Sequence, residues 1–327
     1  MESERMLHAK IDSQGVATQK EVVKEEKRLR VDNQPYGSIL AEAFGNAYKG
    51  TNYEWTPIGT FEDIDAATAD DFKDFFNTFY VPNNAVLSIA GDIDIAQTKA
   101  LVQKYFSEIP RGTKEIPRPT ITDPKQDEAV AVEVFDNIQL PAVVQCYRMA
   151  EQGSEDYYAL EMLTTLLSGG QSSRFQKEIV DKQQLAAFVG SFPLALEDGG
   201  LFIGFGITNM GKRPEDLEAA INTEILKAQT ELVPEKEFQK LQNQIENDFV
   251  SRNGSVQGIA ESLADYYTYL GDANLINSEI ERYRKVTRED LMRVAKKYLA
   301  ESNRVTLTYL PKSEQKKPED AAIDTKQ

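Results

Sequence analysis

Histidine is nearly absent: His8 is the only one in 327 residues. Ser-His-Asp triads, Cys-His pairs and two-histidine zinc centres each need a well-placed imidazole, so this one scarcity narrows the chemistry severely. His8 lies in Arg5-Met6-Leu7-His8-Ala9-Lys10, which reads as a short surface helix. Cysteine is equally scarce. A lone Cys146 forbids an intrachain disulfide or a cysteine metal cluster, and its place in an apolar run makes it a small core residue. No apolar stretch approaches the roughly 20 residues of a membrane-spanning helix, so no membrane span is expected. Positive charge is in deficit, with 37 Lys and Arg against 53 Asp and Glu and a formal net charge of -16. Nucleic-acid binding rests on cations that release phosphate counterions, so nucleic acid is excluded as a partner. The opening Met1-Glu2-Ser3-Glu4-Arg5 has none of the basic and apolar pattern of a secretory leader.

What is present fits a globular protein, at 41% hydrophobic and 28% charged residues. The length is about twice that of a common domain, so two domains are expected. Residues 15–30 carry Val16, Val22, Val23 and Leu29 near one helical face, and Asn33-Gln34-Pro35-Tyr36-Gly37 ends that helix with turn formers. A second helix is predicted over 38–48. Residues 68–80 form a third, capped by Thr68 with Asp71 three positions on, and 85–90 read as a strand. A helix over 95–109 closes the first region. The segment Pro110-Arg111-Gly112-Thr113-Lys114-Glu115-Ile116-Pro117-Arg118-Pro119 is the obvious linker. Beyond it, strands are predicted over 129–135, 142–149, 185–192, 201–208 and 304–310. Helices are predicted over 155–167, 173–182, 214–232, 234–252, 256–270 and 288–300. The domain plan is therefore 1–109, the carboxy-terminal part of a first domain; 110–126, a linker; 127–311, a whole second domain; and 312–327, a charged tail without a core.

An internal repeat organises this plan. Asp65-Ala66-Ala67-Thr68-Ala69-Asp70-Asp71-Phe72 and Arg284-Lys285-Val286-Thr287-Arg288-Glu289-Asp290-Leu291 open helices of matching length. Thr68, Asp71 and Asn84 align with Thr287, Asp290 and Asn303 at a separation of about 220 residues, too long for a solenoid and suited to duplicated domains. The predicted fold class is α+β: two duplicated domains, each a sheet covered by helices, the first incomplete.

One residue stands out as a candidate ligand. In Gln19-Lys20-Glu21-Val22-Val23-Lys24-Glu25-Glu26-Lys27-Arg28, Glu26 follows Val22 and Val23 by four and three residues and precedes Leu29 by three, so its carboxylate projects from the apolar stripe. A carboxylate on a buried stripe is costly unless paired or bound to a cation. The plainer reading is a highly charged helix in which one Glu falls on the stripe by chance.

This segment, with Asp32-Asn33-Gln34-Pro35-Tyr36-Gly37 after it, resembles the pitrilysin/insulinase-like zinc metallopeptidases, particularly their bacterial processing-peptidase-like branch. Ile58-Gly59-Thr60, Val81-Pro82-Asn83-Asn84, Ala90-Gly91-Asp92 and Gly169-Gly170-Gln171-Ser172-Ser173-Arg174 follow in the family's order. The resemblance implies that Glu26 is the third zinc ligand. It departs at Gln19, where the family often has an acidic residue. The family's His-x-x-Glu-His motif, which supplies two ligands and the general base, lies further upstream than the 25 residues before Glu26 and cannot be present here. In relatives whose second domain completes the site, an Arg and a Tyr seven residues apart help hold the substrate carbonyl; the matching positions here are Val180 and Ala187. The expectation is a subunit or fragment of a zinc-dependent metalloendopeptidase that degrades peptides, works with a partner subunit of the same fold supplying Arg and Tyr, and is inactive alone. Zinc is the cofactor of the complete enzyme and is not expected on this chain. The compartment is left open between a bacterial periplasm and cytoplasm. A non-catalytic scaffold or assembly subunit is the alternative, and an unrelated acidic binding module a third.

Metal analysis after dialysis of the isolated chain against dilute zinc is expected to show no stoichiometric metal. One tightly held zinc per chain, lost in Glu26→Gln, would contradict that composition of the site.

Overall fold

The computed structural model describes residues 1–121 and 126–315. They form two compact units, and each is assembled from separated stretches of chain. Over the described residues, unit 1 takes Met1–Asp32, Pro57–Thr120 and Asn247–Glu279, and unit 2 takes those within Asn33–Thr56, Ile121–Glu246 and Ile280–Gln327. Among the described residues of the predicted linker, 110–121 carry no helix or strand, while 122–125 and 316–327 lie outside the described residues.

Unit 2 is built on one five-stranded sheet. Its strands are β1 (Val130–Asp136), β2 (Ala142–Arg148), β3 (Ala186–Leu196), β4 (Gly199–Thr208) and β5 (Arg304–Pro311), in the spatial order β1-β5-β2-β4-β3. Only β1 and β5 run parallel. The side-chain period of two divides the sheet's faces. Val144, Cys146, Leu201, Ile203, Val305, Leu307 and Tyr309 face α3 (Ile39–Ala47), which contributes Ala43, Phe44 and Ala47 to the same core. Tyr147 and Phe202 face a layer containing α7 (Glu155–Ser168), α8 (Pro214–Thr230) and α12 (Arg288–Tyr298). Covering both faces makes β2 read as a continuous apolar run, as the sequence does. The β3–β4 hairpin turns through Glu197 and Asp198 and enters β4 at Gly199 and Gly200, both with φ in the left-handed region. A Cβ at Gly200 would lie 2.3 Å from the Leu194 carbonyl oxygen, so only glycine fits. The Tyr48 hydroxyl completes the turn, donating to the Gly200 carbonyl at 2.8 Å and accepting from its N–H at 2.9 Å.

Unit 1 is helical. It holds α1 (Glu2–Leu7), α2 (Ser13–Lys27), α4 (Phe61–Ala66), α5 (Ala69–Phe79), α6 (Ile95–Phe106) and α10 (Val256–Leu270). A π turn, Arg28–Asp32, continues α2 where a plain helix to residue 30 was expected. The strand expected over 85–90 is extended at its start, with Ala85 at φ -128° and ψ 143°, yet it joins no ladder among the described residues. A strand needs a neighbour for its N–H and C=O groups, and unit 1 offers none among those residues.

The repeat is reproduced down to single hydrogen bonds. Thr68 and Thr287 cap α5 and α12 with complete capping boxes to Asp71 and Asp290. Both helices have 11 residues. Each is followed by a single 3₁₀ turn, Pro82–Asn84 and Glu301–Asn303. The Asn84 amide donates to the Phe79 carbonyl at 3.0 Å, and the Asn303 amide to the Tyr298 carbonyl at 2.7 Å. A short helix precedes each copy, α4 in one and α11 (Ile280–Lys285) in the other. α4 was not anticipated, although Thr60 and Asp63 carry the same capping box. The order α2-α3-α4-α5 thus matches α9-α10-α11-α12, with α9 spanning Glu235–Arg252. The halves exchange equivalents: α3 of the first half belongs to unit 2 and α10 of the second half to unit 1.

In unit 2, α7 and α12 are clamped by Asp156, which bonds Arg293 at 2.6 Å, Lys297 at 2.8 Å and the Tyr298 hydroxyl at 2.7 Å. Burial pushes the Asp156 carboxyl up, but these donors outweigh it and hold the group down at about 2. A depressed carboxylate stabilises the fold above its unfolded value near 4 and loses that contribution as pH falls through about 2. Asp156→Asn is expected to cost about 2 kcal/mol at pH 7 and to flatten the stability profile between pH 4 and 2, read by urea unfolding across pH.

Candidate functional site

Glu26 sits on α2, whose start is set by Asp12 accepting the Gly15 N–H at 2.7 Å. The basic face of this helix is what holds it in unit 1. Lys20 donates to the Asp65 and Ala67 carbonyls at 2.8 and 2.7 Å, which caps the carboxy-terminal end of α4. Lys24 pairs with Asp65, and Lys27 and Arg28 lie 5.3 and 5.2 Å from the Phe61 ring centroid. These contacts fix the rotation of α2 and leave Glu26 half-buried. Arg30 pairs with it at 3.1 Å across the start of the π turn.

The apolar stripe read from the sequence is not a buried one. Val16 is buried and Val23 partly so, but Val22 is 53% and Leu29 56% exposed. The expectation that Glu26 rises from a covered stripe is corrected accordingly: the α2 face beside it meets no sheet among the described residues, and its charge is met by Arg30 rather than stranded. His8 lies on α1, exposed and bonded to Glu4 at 2.7 Å. Among the described residues no group of three or more His, Cys, Asp or Glu is arranged to hold a metal ion.

In unit 2 the two positions matched to substrate-carbonyl donors fall on neighbouring elements. Val180 lies in a π turn, Gln176–Lys182, where a plain helix was expected, and packs partly buried against the core. Ala187 lies exposed at a bulge of β3, where the pairing with β4 shifts between Ala186 and Phe188. Strand β3 is an edge of the sheet. Its exposed Phe188 and Phe192 alternate along the strand, a signal that the sequence carried and that was not singled out.

The Gly169–Arg174 segment is occupied structurally. Gly169 ends α7, and a Cβ there would come within 2.5 Å of the Thr165 carbonyl oxygen. Arg174 holds Glu237 of α9 through two hydrogen bonds, at 3.2 and 2.8 Å. Cys146 is buried on the sheet, where desolvation pushes its thiol up to about 12, so it stays protonated and inert.

Comparison with known proteins follows this geometry. Residues 66–245 match the family described as the peptidase M16 inactive domain, more than half of the chain. The zinc protease PqqE of Helicobacter pylori is 32% identical over 295 residues, which are 90% of this chain and 66% of that protein. The chain thus spans just under two thirds of that relative. A crystal structure of a protease from Helicobacter pylori superposes with a TM-score of 0.89 at 30% identity, over 94% of this chain and 75% of that one. The peptidase M16 inactive domain from Pseudomonas fluorescens shares the fold, with a TM-score of 0.81 at 18% identity over 96% and 74% of the two chains. Fold, motif order and the family match agree, and the chain belongs to the M16 peptidase family, the pitrilysin-type family that its motifs resemble.

Proposed function

We propose that this chain is the portion of a zinc-dependent metalloendopeptidase that carries the third zinc ligand, Glu26, together with the domain that lacks substrate-carbonyl donors. The observation that carries the reading is the character of Val180 and Ala187. Water attack on an amide builds negative charge on the carbonyl oxygen, and an alkyl side chain donates nothing to it. The family match to an inactive domain supports the same reading. The residues present do not by themselves fit a zinc centre, because Glu26 offers one carboxylate, already paired with Arg30, and structural and catalytic zinc sites draw on three or four ligands. The two histidines and the general-base glutamate therefore stand on polypeptide outside these 327 residues. A partner subunit of the same fold supplies the Arg and Tyr.

Peptides are the substrate class on this reading. The open edge of β3 suits an extended chain held by main-chain hydrogen bonds, with Phe188 and Phe192 offering apolar contacts, a mode that tolerates many sequences. A non-catalytic scaffold remains the second reading, favoured by the same alkyl residues. No helix among the described residues is long and apolar enough to cross a membrane.

Two measurements test the proposal. Peptide hydrolysis is expected only when this chain is joined to a segment carrying His-x-x-Glu-His and mixed with a partner that has the Arg and Tyr. Replacing either partner residue should cost about 10²-fold or more in rate. Full activity without the partner contradicts the need for it, and inactivity of every mixture favours the scaffold. Glu26→Gln in the isolated chain is expected to change stability by less than about 1 kcal/mol, because an exposed i,i+4 ion pair contributes little. A larger loss in urea unfolding would make Glu26 a structural residue rather than a ligand.

A further inference from the structure

Strand β3 has no strand beyond it among the described residues, yet its outward groups are not equally open. The hairpin decides which residues face out. Glu197 and Asp198 form a two-residue turn between Leu196 and Gly199, which stand opposite each other. In such a hairpin the flanking pair is hydrogen-bonded, and bonded and non-bonded pairs alternate along the strand. Gly190, Phe192, Leu194 and Leu196 therefore turn their N–H and C=O groups to β4, while Val189, Ser191, Pro193 and Ala195 turn theirs to the open edge. Pro193 fits that assignment, since it has no N–H to give to a ladder.

Two of these outward positions are closed to an incoming strand. The Ser168 hydroxyl accepts the Ser191 N–H at 2.9 Å, and the Ser191 carbonyl oxygen lies 2.9 Å away as an acceptor for its hydrogen. One side chain thus stands where a residue of a sixth strand would exchange both bonds with Ser191. Pro193, two positions on, offers a neighbour an acceptor and no donor. The outward positions left are Val189, beside the bulge and the exposed Phe188, and Ala195 next to the turn.

The Gly169-Gly170 pair is what puts Ser168 there. Ser168 is the last residue of α7, and a side chain at Gly169 would meet the Thr165 carbonyl oxygen at 2.5 Å. The Gln244 amide of α9 also holds the Gly169 carbonyl, at 3.3 Å. Leu160, Leu163 and Leu167 seat α7 in the core that Val189 shares. The helix is fixed, but the hydroxyl is not. Its hydrogen has three acceptors in reach, the Ser191 carbonyl and hydroxyl at 2.9 Å and the Thr164 carbonyl at 3.4 Å. Rotation about one side-chain torsion, which has three staggered wells, takes the oxygen off Ser191 and breaks both bonds together.

We propose that Ser168 is a latch on the edge of β3, a specificity-determining residue that confines an extended peptide to residues 187–189 and admits a longer pairing only when its hydroxyl swings off Ser191. The inference rests on the reading of β3 as a peptide edge and adds to it what limits the length of chain held there.

Amide exchange resolved at single residues and binding of a capped octapeptide, alternating threonine and valine with a lysine at each end, test this on the full 327-residue chain. Ser168→Ala is expected to speed exchange of the Ser191 N–H by about tenfold or more, with Gly190 and Phe192, which face β4, unchanged. It should bind the octapeptide about fivefold to tenfold more tightly than the wild type, because one hydrogen-bonded contact no longer has to be broken. Bound peptide should then restore protection at Ser191. In the wild type it should slow exchange at Val189 and not at Ala195. Adding Pro193→Ala to Ser168→Ala supplies the missing donor and should carry protection on to Ala195. Unchanged protection of Arg304–Pro311 marks an intact fold in each variant. Equal exchange at Ser191 with and without the hydroxyl overturns the latch. Equal affinities for the octapeptide overturn it too while leaving the peptide reading of β3 standing, whereas binding to neither chain ends that reading and the latch together.

Discussion

A β-strand inside a sheet has four surfaces to satisfy: two faces of side chains and two edges of N–H and C=O groups. Strand β5 has all four satisfied, with α3 over one face, the α7, α8 and α12 layer over the other, and β1 and β2 along its edges. Most of unit 2 follows from that requirement. It explains why β2 is apolar at most of its positions, why a Cβ at Gly206 would crowd the Leu217 side chain of α8 at 3.0 Å, and why Asp156 tolerates partial burial between three donors. Residues 85–90 begin from the same local sequence logic, have none of those neighbours among the described residues, and form no ladder.

The same constraint governs the candidate ligand. Glu26 was read as a carboxylate on a covered stripe, and its stripe is half open. Its helix is fixed instead by lysines that reach the end of α4, an arrangement that presents Glu26 beside Arg30. Its carboxylate is thus met by Arg30 and is not stranded. In unit 2 the edge strand and its bulge carry Ala187, and the π turn carries Val180.

Much of this was legible beforehand, and the reason is range. The capping boxes at Thr68 and Thr287, the Asn that reaches back five residues after each helix, and the apolar run of β2 are all settled within a few neighbouring residues. The overlooked helix α4 had the same signal at Thr60 and Asp63 and was hidden only by its 6-residue length. The two π turns had no such local mark, since an extra residue in a turn is accommodated by packing rather than announced by sequence.

By itself, then, the sequence determined the elements, their caps, the duplication and the scarcity of imidazole and thiol that limits the chemistry. These depend on hydrogen bonds and periodicities a turn or two long. Tertiary structure decided which copy of the repeat is buried, that the two halves exchange α3 and α10, and that Glu26 meets Arg30 on a half-open helix. Each of those outcomes depends on which distant segment supplies the covering surface, which hydrogen bonds and periodicities a turn or two long do not record.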